Sequence, residues 1–158
     1  MTDFETTHDT FTIHKTYDCA PSRLFAAFSD PSLKKEWFAE SPAYEALEYD
    51  LDFKPGGKEV LTAKMLPSTP VAGAVLRWTS EYGAIEPDAR IVFHQNVEMN
   101  DRCISCAVIT LEFLPTQSGC DLKLTHQAVF FEGSDGPEVR KMGWEALLTS
   151  LESTTVGS

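Results

Sequence analysis

The stretch GPEVRKMGWEALLTSLES, residues 136–153, carries the one long helical rhythm of the chain, and it follows a succession of strand-like segments. Val139, Met142, Ala146, Leu147 and Ser150 fall on one stripe at helical spacing, and Trp144, Leu148 and Leu151 widen it. Asp135 and Glu138 stand three apart just ahead of the stripe, the layout of a capping box. A helix with so broad an apolar side needs a surface to cover, and the strands before it supply one.

Working back from the helix, CDLKLTHQAVFF (120–131), CISCAVITLEF (103–113) and RIVFHQNVEM (90–99) are apolar-rich runs joined by the turn-length segments PTQSG and NDR. AVLRWTSEYGAIE (74–86) is a further long strand, in which Gly83 marks a bulge. KEVLTAKML (58–66) and EALEYDLDF (45–53) precede it, joined by the turn KPGG. In EALEYDLDF, Leu47, Tyr49, Leu51 and Phe53 alternate with Glu48, Asp50 and Asp52, which implies a sheet with one wet face. Those three carboxylates run along a flat face and do not converge on a point, so they read as a solvated stripe.

Ahead of these strands, FTIHKTYD (11–18) alternates as a first strand, after a polar, acidic segment (1–10) expected to be a flexible tail. APSRLFAAFSDPSLKKEWF (20–38) reads as two short helices. Pro21 suits a first helical position, Leu24, Phe25 and Phe28 form an apolar stripe, and Asp30 caps a second start at Pro31. One continuous helix would lose an interior backbone bond at Pro31. Hairpin-length links imply an antiparallel sheet, and a large twisted sheet curls. The expected architecture is therefore α+β: a curved antiparallel sheet of about six or seven strands, wrapped around a long C-terminal helix, with two short helices after the first strand. Residues 11–154 form a single domain in this reading.

Composition narrows the function classes. The 158 residues are 42% hydrophobic and 23% charged, ordinary for a globular protein. The formal net charge of −11, from 24 acidic and 13 basic residues, argues against nucleic acid and anionic membrane as partners. No apolar run approaches the ~20 residues of a membrane-spanning helix. The start, MTDFETTHDT, lacks the basic-then-apolar layout of a secretory signal, so the expected location is the cytoplasm. Cys19, Cys103, Cys106 and Cys120 do not form a disulfide framework in a chain of this size. Cys103 and Cys106 make a CxxC, but three residues apart on a regular strand their side chains are expected on opposite faces. There is no matched set of Cys or His for zinc, so neither a metal nor a cofactor is expected.

In order and spacing, these segments resemble the START-like, or helix-grip, superfamily. The likeness is to the branch named after the activator of the 90-kDa heat-shock chaperone's ATPase. The residues that carry it are APSRLFAAFSDPSLKKEWF (20–38), DLDFKPGG (50–57), AIEPDARIVF (84–93), ITLEFLPTQSGCDLKLTH (109–126) and GWEALLTSLE (143–152). The resemblance implies a curved sheet gripping the last helix, with a largely apolar cavity between them. Leu76, Trp78 and Tyr82 are large for their region and would narrow that cavity.

Catalytic motifs are lacking: there is no HExxH, GxSxG, Walker loop or GxGxxG. The residues expected to meet a ligand are the aromatics Trp37, Phe38, Tyr49, Trp78, Tyr82, Phe93 and Trp144, together with two polar groups, Gln95 and His126. Strand alternation turns Gln95 inward and His94 outward, and it places His126 on the Leu122–Leu124–Ala128 face. An inward His is the best candidate for a general acid or base, and the alternative for it is a plain core residue. Three functions remain in ranked order. The first is binding of an apolar small molecule between sheet and helix. The second is an enzyme of the polyketide cyclase, hydratase or hydrolase type on the same scaffold, which needs two convergent polar groups. The third is a chaperone-ATPase-activator-like or stress-related partner, ranked last because the namesake carries an additional domain that this chain lacks. The first strand, if exposed, leaves room for a homodimer by edge pairing.

Overall fold

The computed structural model describes residues 4–155. The elements follow in the order β1 (Thr6–Tyr17), α1 (Pro21–Ser29), α2 (Pro31–Lys34), a π-helical turn (Lys35–Ala39), β2 (Tyr44–Leu51) and β3 (Lys58–Met65). Then come β4 (Val75–Glu86), β5 (Arg90–Met99), β6 (Arg102–Pro115), β7 (Cys120–Phe131) and α3 (Gly136–Thr155). The break between α1 and α2 falls where Pro31 demands it, and the Asp30 side chain accepts from the backbone N–H of Ser32 at 2.9 Å. The strand β1 begins earlier than expected. Residues 6–10, read from the sequence as tail, pair with β7 from Thr6↔Phe131 onward. Residues 1–3 of that tail lie outside the described residues.

All seven strands are antiparallel, in the order β1-β7-β6-β5-β4-β3-β2. The helical crossover after β1 carries the chain from one edge of the sheet to the other. Three single-residue insertions curl the sheet, at Leu47 in β2, Gly83 in β4 and Ile104 in β6. Gly83 is where the sequence placed a bulge. Leu47 is a correction: the bulge throws it out of the alternation, and it is 55% exposed while Tyr49 and Leu51 stay half-buried. The β5–β6 link is a two-residue turn with Asn100 and Asp101 at φ 50° and 67°, the hand that matches sheet twist.

Against the sheet and α1 lies α3, which packs on β1, on α1 and on the π-helical turn. Its buried side is Arg140, Trp144, Leu148 and Leu151, spaced by four, four and three residues. The Tyr17 hydroxyl of β1 donates to the Leu148 carbonyl at 2.7 Å and pins the two elements together. Expectation and structure differ in the helix's rotation. The stripe through Val139 and Met142 is not the core face: Val139 is 49% and Met142 67% exposed. The expected capping box is also absent. The Asp135 carboxylate goes to Arg140, and the Gly136 N–H donates to the Ser134 hydroxyl at 3.2 Å.

Candidate ligand-binding site

One extra residue in β6 sets up the site. Opposite Val97 and Glu98 of β5 the register steps from Ser105 to Cys103, so Ile104 is the insertion. Ile104 and Ser105 are consecutive, yet both are buried. Cys103 and Cys106 consequently share the opposite side, with their sulfurs 3.9 Å apart. The sequence expectation of opposite faces for these two thiols is thus corrected, because it assumed unbroken alternation. Burial beside Cys103 raises the Cys106 thiol pKa, with burial the larger cause.

Between the inner faces of β3–β6 and the helix α3 lies a cavity of about 390 Å³. Leu76, Trp78, Val97 and Ile104 form its sheet side, and Val139, Gly143, Ala146, Leu147 and Ser150 of α3 form its helix side. The stripe read from the sequence as the helix's apolar face is therefore the cavity face, apart from Met142. The loops around residues 41–44 and 69–71 close it from the side, and exposed Val71 and Val139 leave an apolar rim. Gly143 is informative. A glycine inside a helix costs about 0.5–1 kcal/mol relative to alanine, yet a Cβ built at this position meets nothing within 4 Å. No packing partner requires the glycine, which is itself exposed and borders the side of the cavity that opens to solvent.

Two polar points interrupt the apolar wall. At one end Arg140 is held by its Nε donating to Asp135 Oδ2 at 2.9 Å and its Nη2 donating to Asp135 Oδ1 at 2.7 Å. Its Nη1 donates to Ser105 Oγ at 2.9 Å. The guanidinium lies 5.1 Å from the Phe130 ring centre. The second point is Gln95, buried, whose amide donates to Ser80 Oγ at 3.2 Å.

Of the residues expected to meet a ligand, Phe38, Trp78, Gln95 and Trp144 line the cavity. Trp37, Tyr82, Phe93 and His126 lie elsewhere, in the packed interior, and half-buried Tyr49 packs against that core from its edge. Trp37 donates its indole N–H to the Ala27 carbonyl at 2.8 Å. Phe93 and Tyr82 pack on each other with ring centres 5.8 Å apart. His126 points inward, as alternation requires, but it is 0% exposed and stacks flat on Phe11 at 4.4 Å. Neither of its ring nitrogens has a hydrogen-bond partner. Burial, and secondarily the Arg140 charge, lower its pKa to about 4, so the ring is neutral near pH 7. It has the surroundings of a core residue and does not line the cavity.

Residues 18–155 match the family described as Activator of Hsp90 ATPase homolog 1-like protein. The chain belongs to that family. Among solved structures, a protein from Rhizobium leguminosarum is similar at 29% identity and a TM-score of 0.91, with 99% of this chain and 100% of that chain covered. The Mll3558 protein from Rhizobium loti is similar at 31% identity and a TM-score of 0.82, with 95% and 99% covered. An AHSA1-like protein from Aeromonas hydrophila, at 17% identity, shares the fold with a TM-score of 0.69 over 94% and 93% of the two chains. No curated protein matches. The helix-grip fold expected from the motifs is the fold observed, and its general character is that of a ligand-binding scaffold.

In this AHSA1-like chain, two polar clusters escaped the sequence reading. Arg140 is one, although its spacing from Trp144, Leu148 and Leu151 puts it on the buried side of α3. The other is a buried ion pair behind Phe38. Lys34 Nζ lies 3.0 and 2.9 Å from the two oxygens of Glu59, and Tyr49 donates to Glu59 Oε2 at 2.8 Å. The Lys34 ammonium stands 4.6 Å from the Phe38 ring centre, and neither charged residue is more than 5% exposed. Strict alternation with Leu61 and Ala63 would have turned Glu59 inward. Burial first, and the Glu59 charge second, raise the Tyr49 and Tyr82 pKa values, so both phenols stay neutral. Among the described residues, no cluster of three or more His, Cys, Asp or Glu side chains is placed to hold a metal ion. No helix among them is long and apolar enough to cross a membrane.

Proposed function

We propose that this AHSA1-like domain binds a hydrophobic small molecule in the space between β3–β6 and α3. The observation that carries the reading is the volume of about 390 Å³ between the apolar sheet wall of Leu76, Trp78, Val97 and Ile104 and the helix α3, within the range of small-molecule pockets. The cleft is open on one side, and an apolar guest would supply its lining atoms with dispersion contacts they otherwise lack. The exposed apolar rim at Val71 and Val139 gives an apolar guest a surface to meet first. Binding ranks above catalysis for a specific reason. A cyclase, hydratase or hydrolase needs convergent free acid–base groups, whereas here Asp135 and Arg140 are occupied by each other and His126 lies behind the wall.

The test is a thermal-shift screen with flavonoids, fatty acids, sterols and polyketides. A ligand that binds only the folded state raises the melting temperature with its concentration, by about 2.7 kcal/mol of added stability at a hundredfold excess over Kd. A concentration-dependent rise for one compound class supports the reading. No rise for any class, together with no enhancement of N-phenyl-1-naphthylamine fluorescence, contradicts it.

A further inference from the structure

We infer that the occupant of this cavity carries no net charge and lays a hydrogen-bond-accepting end, such as a ketone, aldehyde, ester or quinone oxygen, against Arg140. The inference rests on the binding function proposed above and adds the chemistry of the guest. Asp135 and Arg140 are the only charged residues among the described lining residues, and they neutralise each other through two hydrogen bonds. A guanidinium has five N–H groups. Asp135 takes two and Ser105 one, which leaves two for a guest.

Each class of ligand head meets this pole differently. A carboxylate would enter beside Asp135, which already occupies the cation, and would lose its hydration without gaining a free counter-charge. The net charge of −11 opposes it at long range as well. An ammonium would find Asp135 already neutralised and would lie against Arg140 itself. A neutral carbonyl takes a charge-assisted hydrogen bond and has no charge to desolvate. Gln95, in the opposite wall, is an uncharged second polar point of the same kind. The volume sets the scale: at about 30 Å³ per water-sized group it holds about 13 such groups, the size of a twelve-carbon chain with one oxygen.

The experiment displaces N-phenyl-1-naphthylamine from the full chain near neutral pH with four compounds of one chain length: 2-dodecanone, dodecanoate, dodecylammonium and dodecane. The ketone is expected to compete at least about tenfold better than either charged compound, and better than dodecane. Asp135→Asn, at a partly exposed position, frees the Arg140 charge. It is expected to move the ratio of dodecanoate to ketone affinity about tenfold toward dodecanoate. Dodecanoate or dodecylammonium matching the ketone in the unmodified protein overturns the inference, as does a ratio that Asp135→Asn leaves unchanged. In those outcomes the probe still binds and the cavity reading survives. Failure of the probe and of all four compounds to bind overturns both.

Discussion

His126 offers the sharpest stability test in the molecule. Its ring is fully buried between Phe11 and Phe130, beside Arg140, and neither nitrogen is bonded. The folded state therefore favours the neutral ring, and the pKa falls from 6.5 to about 4. The sign of the pH effect follows. Between those two values the unfolded chain binds a proton that the folded chain refuses, so stability is complete above about pH 6.5 and drains away as pH falls toward about 4. At about 1.4 kcal/mol per tenfold difference in proton affinity, the loss amounts to about 3 kcal/mol. In His126→Leu this part of the pH dependence vanishes. Urea unfolding followed by tryptophan fluorescence, near pH 7 and again near pH 4.5, measures it. The unmodified protein should lose about 2–3 kcal/mol more than the variant between the two conditions. Near neutral pH the variant should match the unmodified protein or exceed it by up to about 2 kcal/mol. Removing two unbonded buried nitrogens offsets the loss of the ring stacking on Phe11. Equal pH slopes for the two proteins would mean that folding does not lower the ring's proton affinity, and a variant several kcal/mol weaker near pH 7 would mean that the ring nitrogens are satisfied; either result contradicts an unbonded neutral His126.

Two further stability predictions concern the buried polar contacts. Lys34→Met leaves Glu59 charged and buried without its partner, at about 3–5 kcal/mol, whereas Lys34→Met combined with Glu59→Met should recover most of that loss; chemical denaturation of both variants checks it, and additive losses would contradict it. Tyr17→Phe removes the hydrogen bond to the Leu148 carbonyl and should cost about 1 kcal/mol in the same assay, while a loss above about 3 kcal/mol would show a larger role for that hydroxyl than the structure gives it.

Much of the fold was legible in the sequence because its signals are local. Pro31 had to end α1, Asp30 had to cap what followed, and Gly83 marked an insertion. Turn residues separated the strands at hairpin lengths. The features that were not legible arise from single-residue insertions and from rotation. Nothing in CISCAVITLEF announces that Ile104 is extra. Without that insertion Ser105 would not sit under Arg140, nor would Cys103 meet Cys106. The helix α3 carries apolar residues around more than half its circumference, so its sequence supports two orientations. Which stripe meets β1 is settled by Trp144, Leu148 and Leu151 filling the interior together. The aromatic residues divide for a similar reason. Trp37 and Phe38 are adjacent, but the π-helical turn sends the first toward Ala27 and the second to the cavity wall. Core and cavity lining have the same composition, and only the presence of a facing neighbour distinguishes them.

At position 143 that distinction can be tested directly. Gly143→Leu places a side chain into the space that the glycine leaves empty and replaces a poor helix former with a good one. N-phenyl-1-naphthylamine titrated into the two proteins, alongside their melting temperatures, reads both effects at once. The two are expected to change in opposite directions: stability rises by up to about 1 kcal/mol while probe affinity falls at least tenfold. A variant that binds the probe as well as the unmodified protein, or one destabilised by overpacking, would contradict an open hollow beneath α3.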